Sequence, residues 1–143
     1  MSRLNIWIVT IGEQLPLSSS IRKERASVLV DKLVSRGHNV IWWTSAFNHY
    51  KKDWFFPDEK EREIRPNFLI KPLKGIGYKK NISLSRFIDH RVIAWKFKRL
   101  VPKKQKPDII VVSMPPHDLA YQTVVYGKGV IAGNMIERAL RAS

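Results

Sequence analysis

Two continuous apolar runs joined by a helical segment constrain the fold of this chain more than any other feature. Residues 4–11 are mostly apolar with little alternation and end at Gly12, and residues 40–43 form a second such run. Between them the apolar side chains recur at the spacing of one helix face, at Ala26, Leu29, Val30 and Leu33. Continuous runs are typical of strands buried on both faces of a parallel sheet, and a helical crossover favours parallel pairing. The sequence therefore predicts an α/β fold, a Rossmann-like doubly wound parallel sheet.

The rest of the chain continues this alternation. Strands are predicted near residues 4–11, 39–43, 67–71 and 108–113, and helices near 20–36, 83–101 and 117–127. Gly37 is placed to cap the first helix, and His38 beside it is interpreted as structural. Residues 46–66 are aromatic and charged and break the pattern, so we expect a long loop there, of the kind that is usually functional or mobile. A short strand at 130–132 and a helix from Asn134 are weaker predictions.

Size and composition indicate one globular domain of 143 residues. The chain has no cysteine, which excludes a disulfide framework, a thiolate zinc site and a cysteine nucleophile, and which agrees with a reducing cytosol. No apolar run is long enough to span a bilayer, and the first residues are interpreted as a strand rather than a signal peptide.

The net charge of +14 is concentrated in one part of the chain. Residues 71–106 contain 12 Lys or Arg and a single acid, Asp89, so this basic block carries a net charge of +11. Such a block indicates an anionic partner: nucleic acid, an anionic membrane surface or a phosphorylated substrate. A solvated surface without a partner is the alternative interpretation.

The predicted helix at 83–101 is apolar on two sides. One side carries Leu84, Phe87, Ile88 and Trp95, and the other carries Ile93, Phe97 and Leu100. One side is expected to pack on the sheet, and the second either contacts a membrane surface or is covered by another part of the fold. The basic residues that a membrane would meet are Lys79, Lys80, Lys96, Lys98 and Arg99.

Few residues carry a specific chemical pattern. Gly12 ends a buried strand where a ligand can approach the backbone, but no GxGxxG motif supports a dinucleotide site. His117 follows the late strand and is either a base or a helix N-terminal residue; Asp118 points about 100° away from it on a helix and cannot easily orient it. His49 and His90 lack the spacing of metal ligands, so no metal site is predicted.

Three separated blocks, at residues 6–17, 25–52 and 77–128, resemble in order and spacing the N-terminal domain of family 4 glycosyltransferases. The resemblance covers roughly residues 4–128 and is to the WbuB-like enzymes that build O-antigen or capsular polysaccharide. It implies one half of a GT-B fold, in which a nucleotide-sugar donor binds mainly to the C-terminal domain and the acceptor to this one. The implied acceptor is a sugar on a polyprenyl diphosphate at the cytoplasmic face of the membrane, and neither a metal nor another cofactor is implied. The resemblance identifies no catalytic residue and places six residues at the acceptor cleft: Gly12, Glu13, Arg25, Phe47, His49 and His117.

Residues 129–143 depart from the family, because the strand and cleft motif that normally follow there have no counterpart. We therefore expect an acceptor-side domain at 1–128, a divergent tail at 129–143 and no donor-binding domain. On this expectation the chain is inactive alone, and is a fragment, a truncated product or one subunit of a two-chain transferase that lies at the membrane periphery. A basic nucleic-acid-binding module is the remaining alternative, although no helix-turn-helix, zinc-finger or RNP motif is present.

Overall fold

A six-stranded, mostly parallel sheet with helices on both faces forms the centre of the molecule. The computed structural model describes residues 2–18, 20–80, 83–101, 104, 106–112, 117–126 and 131–132. The elements in chain order are β1 (Asn5–Val9), α1 (Arg25–Ser35), β2 (Asn39–Ser45), β3 (Phe47–Asn48), β4 (Asp53–Trp54), β5 (Arg62–Arg65), β6 (Phe68–Leu73), α2 (Leu84–Leu100), β7 (Ile109–Val112), α3 (His117–Tyr126) and β8 (Ile131–Ala132). The α/β class predicted from the sequence is confirmed.

The sheet runs in the spatial order β5-β6-β2-β1-β7-β8. β1 is central and pairs in parallel with β2 and β7, with Trp7 opposite both Ile41 and Ile110. β6 and β8 extend the parallel part on either side. Since β1 has a strand on each side and a helix layer on each face, its continuous apolar run is accounted for.

Alternate residues of the strands face two separate cores. Ile6, Ile8 and Trp42 pack with the buried face of α1. Trp7, Val9 and Trp43 point to the opposite side, in a cluster that also contains residues of α2 and α3. The ring of Trp43 lies 5.1 Å from that of Trp7, in a tilted contact. The period-2 geometry of a strand thus divides one apolar run between two cores.

The first helix is shorter than the sequence predicted. It begins at Arg25 rather than near residue 20, and Glu24 at its N-cap position is extended, with no side-chain cap of its own. The carboxylate of Glu13, from the loop after β1, accepts the backbone N–H of Ala26 at 2.9 Å instead. Gly37 ends the helix as predicted, with φ of +87° and its N–H donated to Val34.

Residues 46–66 contain more regular structure than the long loop that the sequence predicted. β3 and β4 form a two-stranded hairpin, and β5 pairs antiparallel with β6 and so becomes the edge strand of the sheet. β5 is short and charged, with Arg65 exposed, which is typical of an edge strand that does not invite further pairing. His38 is structural as interpreted, since it is buried and its Nδ1 accepts the N–H of Leu4 at 3.2 Å.

The late elements also match their predicted positions. β7 and α3 lie within the ranges predicted for them, and Ile131–Ala132 forms the short strand expected near 130–132. The predicted helix from Asn134 lies outside the described residues. Of the helices that are described, none combines the length and the apolar character needed to cross a membrane.

Candidate functional site

The carboxyl ends of the parallel strands bring most of the predicted cleft residues to one edge of the sheet. Gly12 and Glu13 follow β1, and Phe47 and His49 lie beyond β2. His117 is the first residue of α3, beyond β7, but its side chain is outside the part of the structure that is described. In α/β proteins ligands bind outside this edge of the sheet.

A groove of about 500 Å³ opens at this edge, beside the ends of β2 and β6. Its walls combine aromatic and basic side chains, which are Phe47, Trp54, Tyr78, Lys52, Lys79 and Lys80. The aromatic rings pack on one another: the centroid of Phe47 lies 5.3 Å from that of Trp54 and 4.9 Å from that of Tyr78. Phe47 is 6% and Tyr78 7% exposed, whereas Trp54 is half-buried, so Trp54 offers most of the aromatic surface that lies open beside the three lysines.

The β3–β4 hairpin builds the first wall. Phe47 and Trp54 are cross-strand partners in this hairpin, which places their rings side by side. The Asn48 side chain accepts the backbone N–H of Tyr50 at 3.0 Å and shapes the turn. Lys52 has a φ of +55°, and its ammonium group donates to the carbonyl of His49 at 2.6 Å and lies 5.0 Å from the centroid of the Tyr78 ring. The turn thus brings Lys52 to the groove in a defined position.

The loop that follows β6 builds the second wall and is held by α2. Asp89 is 1% exposed, and its Oδ1 accepts the backbone N–H of Gly77 at 2.8 Å. A Cβ on Gly75 would overlap this carboxylate, so the loop approaches the helix as closely as only glycine allows. Burial raises the pKa of Asp89, although hydrogen bonds from the backbone of Gly77 and Ile76 act in the opposite direction. Asp89 therefore has a structural part in shaping the groove.

A histidine–tyrosine pair joins the two walls. The Nδ1 atom of His49 and the hydroxyl of Tyr78 are hydrogen-bonded at 2.7 Å. Burial lowers the pKa of His49, and the nearby charges of Lys52 and Arg86 lower it further. Burial also raises the pKa of Tyr78. At neutral pH the pair is therefore a neutral imidazole hydrogen-bonded to a neutral phenol.

Glu13, Arg25 and Gly12 lie around the N-terminus of α1 and do not line the groove. Glu13 is half-buried, and burial raises its pKa, although the hydrogen bond from the backbone of Ala26 acts in the opposite direction. Glu24 beside it accepts the hydroxyl of Tyr50 at 2.9 Å, which ties this corner to the hairpin. Gly12 has a φ of +92° with open space around it, and Arg25 is exposed. Among the five predicted cleft residues that the structure describes in full, Phe47 alone lines the groove, and His49 is bonded to its wall.

The five basic residues predicted to face a membrane are divided among three surroundings. Lys79 and Lys80 are exposed and line the groove. Lys96 is half-buried, and its ammonium group pairs with Glu59 at 2.6 Å. Lys98 and Arg99 are exposed on α2. The charge of Lys96 is thus offset within the fold, whereas the charges of the other four remain at the surface.

Sequence reasoning missed three residues of the site, namely Trp54, Tyr78 and Asp89. Trp54 and Tyr78 lie in the aromatic and basic segments that the sequence marked as unusual, but their contact depends on packing between distant loops. Asp89 had a visible signature, since it is the only acid among the 12 cations of the basic block. Within the described ranges, no group of three or more His, Cys, Asp or Glu side chains is arranged to hold a metal ion.

Comparison of the chain with protein-family models, with curated proteins and with solved structures gives no match. A function for the chain therefore has to be inferred from its own residues and from their arrangement.

Proposed function

We propose that the chain is the acceptor-binding, N-terminal domain of a GT-B glycosyltransferase with a Rossmann-like, doubly wound fold. The parallel strands support this proposal, because their spatial order is β6-β2-β1-β7-β8. Numbered along the chain, this is the order 3-2-1-4-5 of a Rossmann sheet. Clusters on both faces, with α1 on one and α2 and α3 on the other, agree with double winding.

The observation that carries the proposal is the groove, in which an aromatic surface adjoins three lysines. Sugar rings have apolar C–H faces that pack on aromatic rings, and their hydroxyls hydrogen-bond to neighbouring polar groups. Lysine ammonium groups bind phosphate as point charges. Trp54, supported by the buried rings of Phe47 and Tyr78, would thus contact a sugar, and Lys52, Lys79 and Lys80 would contact a phosphate group attached to it. A sugar on a diphosphate has both parts within one molecule.

The proposed acceptor is accordingly a sugar linked to a polyprenyl diphosphate at the cytoplasmic face of the membrane, where the domain would be peripheral. In the reaction this chain would bind and position the acceptor. The groove would hold the acceptor hydroxyl in place while a second domain presents the nucleotide-sugar donor, because positioning supplies much of the rate of a two-substrate reaction. The hydrogen bond between His49 and Tyr78 would keep the two walls of the groove in place around the acceptor.

Isothermal titration calorimetry with a short-chain, water-soluble prenyl diphosphate sugar tests the proposal. We expect this ligand to bind more tightly than the prenyl diphosphate alone or the free sugar, because only the whole molecule meets both the rings and the lysines. A nucleotide sugar should bind more weakly than the acceptor analogue. Preference for the nucleotide sugar would contradict the assignment of this chain to the acceptor side.

Matched variants locate the binding site. Replacing Lys79 and Lys80 by Gln should weaken binding of the prenyl diphosphate sugar by about tenfold or more, since hydrogen bonds to charged groups contribute about 1.5–3 kcal/mol. The pair Lys32→Gln and Lys106→Gln makes the same change in net charge at exposed positions outside the groove, and it should bind as the wild type does. Equal losses of affinity in both pairs would show that binding depends only on net charge. Tight binding of duplex DNA that weakens in both pairs would favour a nucleic-acid-binding module.

A further inference from the structure

The outward face of α2 is apolar and exposed. Leu84 is 74% exposed, Phe87 55%, Ile88 40% and Trp95 54%. The helix buries its opposite side, where Ile93 and Phe97 are 0% exposed and pack against the sheet. The prediction that this helix is apolar on two sides is thus confirmed, and within the described part of the chain the second side is left open to solvent.

Cations are interleaved with these exposed apolar side chains. The Arg91 guanidinium lies 5.8 Å from the ring centroid of Phe87, and the Arg99 guanidinium lies 4.8 Å from that of Trp95. Lys98 is exposed on the same helix. The one acid of α2, Asp89, is buried against the loop that forms the groove wall, so the helix places no carboxylate on its outward face.

This combination is suited to the interfacial region of a bilayer. Aromatic and aliphatic side chains gain free energy by leaving water among the acyl chains, while Arg and Lys keep their charged ends at the phosphates. Anionic lipids add an attraction for each cation near the surface. The 17 residues of α2 form a rod about 25 Å long. Its contact with lipid would be along the membrane plane.

We propose that the outward face of α2 docks on an anionic membrane surface, with Leu84, Phe87, Ile88 and Trp95 inserted between headgroups and Arg91, Lys98 and Arg99 on lipid phosphates. This inference rests on the proposed function and adds the surface by which the domain would meet the membrane. Ser83 and Ser85, at the start of α2, line the groove. Docking along α2 would therefore hold the groove at headgroup level, where the diphosphate of a membrane-bound acceptor lies.

Charge complementarity favours lipid as the occupant. The outward face of α2 carries the exposed cations Arg91, Lys98 and Arg99, and the one acid of the helix, Asp89, is buried. A second copy of the chain would bring the same positive charge to the same face, and like charges would oppose such a dimer.

Flotation of the 143-residue chain with vesicles tests the proposal. We expect the chain to float with vesicles of phosphatidylglycerol in phosphatidylcholine, to bind less as salt rises and to bind weakly to phosphatidylcholine alone. The double variant Leu84→Ser, Trp95→Ser keeps the net charge, and its partition coefficient on anionic vesicles should fall by at least about tenfold. Val28→Ser on α1 removes an exposed apolar side chain from the other side of the sheet, and it should have no effect.

A charge series completes the test. Arg91→Gln, Lys98→Gln and Arg99→Gln together should weaken binding more than Lys32→Gln, Arg36→Gln and Lys106→Gln, which remove the same charge elsewhere. Wild-type chain that floats with neither kind of vesicle would overturn the proposal. So would a Leu84→Ser, Trp95→Ser variant that floats like the wild type, or a dimer in analytical ultracentrifugation that this variant abolishes.

The two proposals fail separately. The Leu84→Ser, Trp95→Ser variant should still bind the soluble prenyl diphosphate sugar, because its groove is intact. A chain that binds vesicles through α2 but does not bind this ligand would leave the docking surface standing and remove the assigned acceptor. A chain that binds the ligand but not the vesicles would leave the assigned acceptor standing and remove the docking surface.

Discussion

The carboxylate of Asp89 accepts the backbone N–H of Gly77 at 2.8 Å, so a residue within α2 holds the loop that forms one wall of the groove. The backbone of Ile76 also hydrogen-bonds to this carboxylate. Tyr78, Lys79 and Lys80 follow directly and line the groove. The positions of Tyr78, Lys79 and Lys80 therefore depend on one buried acidic residue.

Removing that acid should destabilise the fold and the groove together. Asp89→Ala leaves two backbone donors without their acceptor and should lower the free energy of unfolding by about 2 kcal/mol. Asp89→Asn keeps one acceptor oxygen and should cost less. Urea unfolding measures both, and titration with the prenyl diphosphate sugar should show weaker binding for the Ala variant. If the Ala and Asn variants both match the wild type, the carboxylate does not hold the loop.

Gly75 should be sensitive to any side chain because of its closeness to the same carboxylate. A Cβ there would overlap Asp89 Oδ1, so Gly75→Ala should displace the carboxylate and cost about 2 kcal/mol in the free energy of unfolding. In an Asp89→Ala background the obstacle is gone, and the same substitution should cost much less. A double-mutant cycle measures this coupling. Additive effects of the two substitutions would show that the steric contact is relieved elsewhere.

The protonation of His49 should occur below the ordinary histidine pKa of about 6.5, because burial and the charges of Lys52 and Arg86 disfavour the imidazolium. Between the lowered folded value and about 6.5, the unfolded chain binds more protons, so this group makes the fold lose stability as pH falls through that window. His49→Gln should remove this loss. The Cε1–H resonance of His49 in an NMR titration gives its pKa directly.

The contribution of Lys52 can be separated from that of burial. Lys52→Gln should raise the pKa of His49 only part of the way to the ordinary value, because burial is the largest cause of the lowering and remains in this variant. Lys98→Gln makes the same change of charge on the exposed surface of α2 and should leave the titration of His49 unchanged. A midpoint at or above about 6.5 in the wild type would contradict the environment described for His49.

Two aromatic residues of α2, two positions apart, should differ sharply in their effect on stability. Phe97 is 0% exposed, and its ring packs edge-on against Trp43 at 5.1 Å. Phe97→Ala should cost about 3–5 kcal/mol, through lost transfer free energy and a cavity. Trp95 is 54% exposed, and Trp95→Ala should cost less than about 1 kcal/mol. Urea unfolding compares them, and equal costs would contradict the assignment of the two faces.

Sequence reasoning succeeded for the elements whose pattern is local. β1, β2 and β7 are apolar because both faces of the sheet are covered, so their runs stand out without knowledge of their neighbours. The helical spacing within α1 likewise identifies its buried face. Sequence reasoning failed where the first residue of a helix, or the formation of a strand, depends on a residue that is distant along the chain. α1 begins at Arg25 because Glu13 caps it from across a loop, and β5 is a strand because β6 offers it an edge.

The amino-acid sequence by itself determined the alternation of strands and helices, the concentration of positive charge in residues 71–106 and the two apolar sides of α2, since each of these follows from local spacing and composition. Only the tertiary structure decided which side chains share the groove. Phe47, Trp54 and Tyr78 meet there because a hairpin after β2 and a loop after β6 fold toward each other. The tertiary structure also decided that Lys96 is paired with Glu59, while Lys98 remains exposed. Contacts between distant residues depend on how the packed layers place the loops, and no periodicity in the chain records that placement.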